Sequence, residues 1–287
     1  MRDARGATSP SAWLGCLGGI LAWFVGSVLR VRTAHVLASL ERAGIADGAR
    51  VARLMYRSLG TGVFELVALA LRPRSAARVH GLEGVVAAVR SQTAATGVVV
   101  ATAHTGNWDY TACALARHVD LTVITKRLSV SWLDRWWQGL RRARGVQLVQ
   151  AGSAARLSLA ALRGGGWVAS MIDQAPERTR GSVPVAFLGA VADVDLAPAL
   201  LALRARCPLV VAFPKRTADG HAVELCAVLE PPAGAGRAWA LGAMREATRL
   251  LEQFVRRHPE QWLWMHRRWK RAGGSDGRER TVLQLPA

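Results

Sequence analysis

The stretch from Gly97 to Asp109, reading GVVVATAHTGNWD, constrains this chain more than any other. Gly97 to Ala103 is an apolar, β-branched run long enough for one buried strand, and it stops at His104 before the small, turn-forming residues Thr105, Gly106 and Asn107. A helix pattern begins at Trp108 and continues to about His118, with Asn107 suited to its N-cap. On one continuous helix, a five-residue step would rotate Asp109 by roughly 140° away from His104, so the two side chains would not meet. Across a strand-to-helix turn they can. A histidine at the carboxyl end of a strand lies where ligands bind in open α/β sheets, and an acid beside it fixes its tautomer, as a general base acting on a hydroxyl or amine requires. The plainer alternative is a structural histidine beside a helix-initiating aspartate, which the helix dipole favours in any case.

The rest of the pattern places this unit in an α/β fold. Helices are expected over 33–72, interrupted near Gly44 to Gly48, and strands at Leu121–Thr125, Val146–Val149, Trp167–Ile172 and Leu209–Phe213. Helices at about 131–142, 153–163 and 196–205 separate them. Ala222–Leu229 reads as a hairpin partner of the last of these strands, and a final helix spans about 238–257. Gly164, Gly165 and Gly166 form a turn and not a phosphate loop, because no Lys-Ser/Thr pair follows. Residues 12–29 are uncharged and near the lower length limit for a membrane-crossing helix, with Trp13 and Trp23 placed to sit at an interface. A signal peptide and a buried helix are the competing accounts. The expected division is an apolar N-terminal segment over 1–32, one globular domain over 33–272 and a polar tail over 273–287.

With 287 residues and 51% hydrophobic content, the chain can bury one large core. Its formal charge of +18 rests almost wholly on arginine, since only Lys126, Lys215 and Lys270 are lysines. Such a charge draws a protein to anionic lipid, acidic carrier proteins or nucleic acid. Nucleic acid is the poorest fit, because the arginines are dispersed and no recognised binding motif is present. Cys16, Cys113, Cys207 and Cys226 show neither metal spacing nor pairing and read as reduced, buried residues facing a reducing compartment.

The turn motif resembles the H-x-x-x-x-D/E signature of glycerolipid acyltransferases, in the His-x-Gly-Asn-Trp-acid form of the bacterial lipid A biosynthesis (lauroyl/myristoyl) acyltransferase family. Matching residues follow in order: Arg141 in GLRRARG, Asp173-Gln174, Arg180-Gly181, Phe187-Leu188-Gly189, then His258-Pro259-Glu260-Gln261-Trp262 and His266-Arg267-Arg268-Trp269-Lys270. The resemblance covers about residues 12–271. It implies a glycerolipid acyltransferase-like αβα sandwich with a mixed sheet, preceded by an N-terminal membrane-anchor helix in the segment 1–32 at the bacterial inner membrane, the catalytic domain lying on the cytoplasmic side.

The activity implied is transfer of a fatty acyl chain from a thioester, acyl carrier protein or acyl-CoA, to a hydroxyl of a Kdo-lipid A precursor, with no cofactor and no metal. His104 would act as general base and Asp109 would hold its imidazole, with Arg141 as oxyanion donor and the backbone around Gly106 and Asn107 as the alternative. Arg127, Arg144 and Arg180 would grip phosphates, Asp173 and Gln174 would stand at a strand end facing substrate, and Phe187 and Gly189 would lie near the acyl chain. His266 to Lys270 are assigned to packing. Asp109 stands where the family mostly has Glu, and Ala192-Asp193-Val194-Asp195 replaces a Thr-x-x-Gly stretch, which leaves chain length and acceptor open. A lysophospholipid, glycolipid or aminolipid is the alternative acceptor, and a non-catalytic membrane scaffold the alternative role.

Overall fold

A computed structural model describes residues 10–72, 77–150, 154–176 and 181–269, with side chains from Trp13 onward. Six strands form one mixed sheet in the order β3-β2-β4-β1-β7-β8. They are β1 (Val98–Thr102), β2 (Leu121–Thr125), β3 (Gln147–Gln150), β4 (Trp167–Met171), β7 (Leu209–Thr217) and β8 (Gly220–Leu229). All neighbours are parallel except β7 and β8, which form the expected hairpin.

β1 lies between β4 and β7, and every one of its residues is buried. A strand covered on both faces must be apolar throughout, which is why Val98–Thr102 reads as a continuous run. On one face, Val98 and Val100 pack with residues of α4 (Leu82–Ser91) and α5 (Trp108–Leu115). On the other, Val99 and Ala101 join α8 (Ala197–Ala205) and α9 (Arg237–Arg257), with Leu162 of α7 (Ala154–Arg163). The interruption expected near Gly44 separates α2 (Thr33–Arg42) from α3 (Gly48–Leu71), and α6 (Ser131–Ala143) also lies where expected.

A second hairpin, β5 (Ser182–Phe187) with β6 (Ala190–Asp195), was not anticipated. Pro184 weakens the strand signal, and the turn is made by Leu188 and Gly189, both at positive φ (49° and 76°). Glycine adopts such a φ freely and leucine does not. Leu188 is held there by complete burial and by its amide donating to Glu252 Oε2 at 2.9 Å.

The apolar N-terminal segment is a packed helix and not a lone anchor. α1 (Pro10–Trp23) continues as a π-helical stretch to Val28, turns by 89° into α2, and lies along α3. The contact between α1 and α3 is made by small residues: a Cβ on Gly60 would sit 2.5 Å from the Gly18 carbonyl oxygen, and one on Gly18 would sit 2.5 Å from the Thr61 amide nitrogen. Such close approach lets two helix backbones pack without side chains between them. Among the described residues, α3 is the one helix long and apolar enough to cross a bilayer, and a third of its apolar window is buried in the protein. The outer face of α1 leaves Trp13, Ile20 and Trp23 about two-thirds exposed (63%, 65% and 63%).

Gly60→Ala is expected to destabilise the chain by roughly 1–3 kcal/mol through overpacking, whereas Gly19→Ala, where a Cβ meets nothing within 4 Å, is expected to be neutral or slightly stabilising. Thermal unfolding of the two variants in the same detergent checks the contrast.

Candidate active site

The strand register builds the site. In the parallel pair β1–β4, Thr102 stands opposite Met171. Two residues further along both chains, His104 and Asp173 therefore emerge side by side on the same face. His104 Nδ1 donates to Asp173 Oδ1 at 2.9 Å, and the His104 amide donates to Oδ2 at 3.1 Å. Trp262 Nε1 donates to the same Oδ2 at 3.0 Å.

Asp173 is completely buried. Burial alone would raise its pKa, but the electrostatic influence of His104, the hydrogen bond from His104, the nearby His266 ring and the Trp262 donor together hold it well below the usual carboxylate range. An ionised carboxylate only accepts, so the proton of neutral His104 sits on Nδ1 and its Nε2 is left as the acceptor.

This corrects the expected pairing. Asp109 was assigned to hold His104, and it does not. Arg141 Nε donates to Asp109 Oδ1 at 2.8 Å, and Arg141 Nη2 donates to the same oxygen. Arg141 Nη1 reaches Thr125 Oγ1 and Gln138 Oε1, so the guanidinium proposed as oxyanion donor is engaged on every nitrogen. Asp109 and Arg141 form a largely buried ion pair linking the first turn of α5 to α6. Local spacing suggested Asp109, while the true neighbour comes from the pairing of strands distant in sequence.

The turn after His104 is fixed from three sides. Gly106 has φ +52°, and a Cβ there would meet Pro214 and Lys215 backbone at 3.0 Å, so both conformation and space demand glycine. Its amide donates to the Gln261 carbonyl, which removes it from the expected oxyanion role. Thr105 Oγ1 donates to the Pro214 carbonyl at 2.8 Å. Asn107 caps α5 as expected, accepting from the Tyr110 amide at 3.2 Å. Its Nδ2 donates to Glu65 Oε2 at 2.8 Å, and Glu65 is clasped by Arg216 through both nitrogens (2.5 and 2.9 Å) and by His221 at 3.2 Å. Glu65, on the apolar helix α3, is a residue that the sequence reading passed over.

The C-terminal segment completes the site. The Leu263 amide donates to the His104 carbonyl, and the His104 and His266 rings meet edge to face at 4.6 Å. Gln174 Nε2 lies 3.4 Å from His104 Nε2 and 3.3 Å from His266 Nε2, so its amide stands between the two imidazoles. Burial pushes His266 down to about 4, which keeps it neutral and able to accept from Gln174. Arg268 is 1% exposed, donates to the carbonyls of Gln174 and Asp193, and leaves Nε and Nη2 without a partner. Sequence reasoning assigned His266 and its neighbours to packing; the density of His, Trp and Arg from His258 to Trp269 was the available signal.

His104, Asp173 and His266 also bring one ligand atom each within 4.8 Å of one another, the one such grouping among the described residues. Their donors and acceptors are matched as a hydrogen-bonded array, with Nδ1 of His104 already given to Asp173.

The remaining expected site residues lie elsewhere. Arg144 caps the end of α3 through the carbonyls of Leu69 and Arg72, Arg127 is exposed, and Arg180 falls outside the described residues. Phe187 is fully buried against Trp262 and Trp269, and Gly189 makes the β5–β6 turn. Phe187 is thus packed in the core, while Gly189 is exposed at the turn. The apolar surface lies instead between the sheet and helices α4 and α5, as a cleft lined by Val86, Val100, Trp108 and Val210 with Asp109 and Arg141 on its wall.

His104, held by a buried acid at the ends of parallel strands, thus stands beside an apolar cleft. The family model described as bacterial lipid A biosynthesis acyltransferase matches residues 7–271, and the chain belongs to that family. It is an O-acyltransferase of the lipid A late-acyltransferase type. No individually curated protein matches the chain.

Two outcomes follow. Trp262→Phe removes a donor from a fully buried carboxylate and is expected to cost roughly 1–3 kcal/mol in denaturant unfolding. His266 has a folded pKa below its unfolded value, so between pH 6.5 and about 4 the unfolded chain binds more protons and stability falls as pH falls. His266→Gln should flatten that part of the stability-versus-pH curve.

Proposed function

We propose that the protein transfers a fatty acyl chain from acyl carrier protein to a hydroxyl of a Kdo-lipid A precursor at the cytoplasmic face of the inner membrane. The observation that carries the reading is the His104–Asp173 pair in a member of this family: Nδ1 is fixed as the donor, so Nε2 is the base. Nε2 takes the proton from the acceptor hydroxyl as its oxygen attacks the thioester carbonyl. The tetrahedral intermediate then collapses with cleavage of the carbon–sulfur bond, and the thiolate leaves with the proton returned from Nε2. No acyl-enzyme is formed. The acyl chain occupies the apolar cleft under α4 and α5.

Arg141 and the Gly106 amide are already engaged. Gln174, whose amide stands 3.4 Å from the base nitrogen, is therefore the donor best placed for the developing oxyanion once substrate displaces it from His104. The acidic carrier and the phosphorylated acceptor both suit a chain of charge +18.

Membranes containing each variant, offered acyl carrier protein thioesters with lipid A precursors or lysophospholipids, test this. His104→Ala should abolish transfer, Asp173→Asn should lower it by about 10²-fold or more, and Gln174→Ala should lower kcat by roughly 10²-fold. Asp109→Asn should have a smaller effect than Asp173→Asn, and the reverse order would return the imidazole-holding role to Asp109. Label on a lysophospholipid alone would keep the chemistry and change the acceptor.

A further inference from the structure

We infer that α6 is a second membrane-contacting element, an interfacial helix that seats the entrance of the acyl cleft on an anionic bilayer. Its inner face is spoken for: Gln138 and Leu140 are buried, and Arg141 binds Asp109 on the cleft wall. The opposite face has no partner among the described residues. There Trp132 is 65% exposed and Trp136 36%, one turn apart, and the approach to the helix adds exposed Leu128 and Val130. Arg135 and Arg142 lie on the same outer side of the helix, and Arg127 precedes it, all exposed.

Solvent-exposed tryptophans spaced along one helix face and flanked by arginines match the interfacial zone of a membrane, where the ring is wetted at its edge and the guanidinium meets lipid phosphate. Two further observations favour a lipid surface over an acidic protein as the occupant. Arg144, at the C-terminal end of α6, hydrogen-bonds the Leu69 and Arg72 carbonyls and so ties α6 to the end of the apolar helix α3, where Leu71 is itself exposed. A docking site for a water-soluble carrier also has no need of two exposed indoles next to exposed aliphatic side chains. With both contacts seated, the cleft opens at the bilayer surface, and a lipid acceptor reaches His104 without leaving it. The inference rests on the reading that the acceptor is a membrane lipid.

The test uses the full chain in vesicles of phosphatidylcholine with phosphatidylglycerol, part of it brominated. Trp132 and Trp136 are read as the difference between wild type and Trp132→Ser/Trp136→Ser, with exposed Trp13 and Trp23 on α1 contributing equally to both. Wild type should lose more fluorescence to bromolipid than the double variant. Arg135→Glu/Arg142→Glu should weaken that extra quenching and raise KM for vesicle-embedded acceptor roughly tenfold, with activity on detergent-dispersed acceptor unchanged. Equal quenching of wild type and double variant overturns the inference, as does protection of the ridge by acyl carrier protein alone. Quenching as expected without transfer to lipid A precursor would sustain the membrane contact while removing the proposed acceptor.

Discussion

The buried carboxylate of Asp173 is the point on which the site depends. An ionised group with no solvent contact is stable only if its lone pairs are filled, and here they are filled by a side-chain N–H and a backbone N–H from His104 and by the indole of Trp262. Two of the donors belong to His104, just past β1, and the third to the C-terminal segment. Satisfying one charge therefore fixes the relative positions of His104, Asp173 and Trp262. The same demand sets the His104 tautomer, so one hydrogen bond both satisfies the buried charge and orients the imidazole.

A second charged node lies on the far side of the turn. Glu65 projects from a helix apolar enough to enter a membrane, yet it is bound by Arg216, His221 and Asn107. An acid at this position makes that side of α3 a protein-facing surface, next to the side on which α1 packs. Gln261 adds to the same junction by exchanging hydrogen bonds with the Arg216 backbone while its carbonyl receives the Gly106 amide. The turn that carries His104 is thus held between a carboxylate on α3 and the segment around Trp262.

Much of this was legible in the sequence, and the limits have physical causes. The strand–turn–helix from Val98 to Leu115 follows from a β-branched run, a glycine that must take positive φ and an Asn cap, all local signals. The alternation of strands and helices, and hence the mixed sheet, follows from periodicity. Asp173 was recognised as a strand-end residue, but its partner was not, because pairing between parallel strands is set by tertiary packing and leaves no local mark. Asp109 was read as the His104 partner from a turn that could bring them together and from the H-x-x-x-x-D/E resemblance, both of which are local to residues 104–109. The β5–β6 hairpin escaped because its turn uses leucine where glycine is usual, a conformation paid for by burial and visible only in the folded chain.

The 69-position offset between His104 and Asp173 carries no constraint of its own; parity does. Each side chain must emerge an even number of residues beyond a paired position, so that both point to the same side of the sheet. Insertions in the connections through β2, α6, β3 and α7 leave this relation untouched. A single residue gained or lost between Thr102 and His104, or between Met171 and Asp173, would turn one partner away. The chain is thus free to vary in length across most of the interval and rigid in length over two dipeptide steps, which is where reading-frame-preserving indels should be absent from functional copies of this gene.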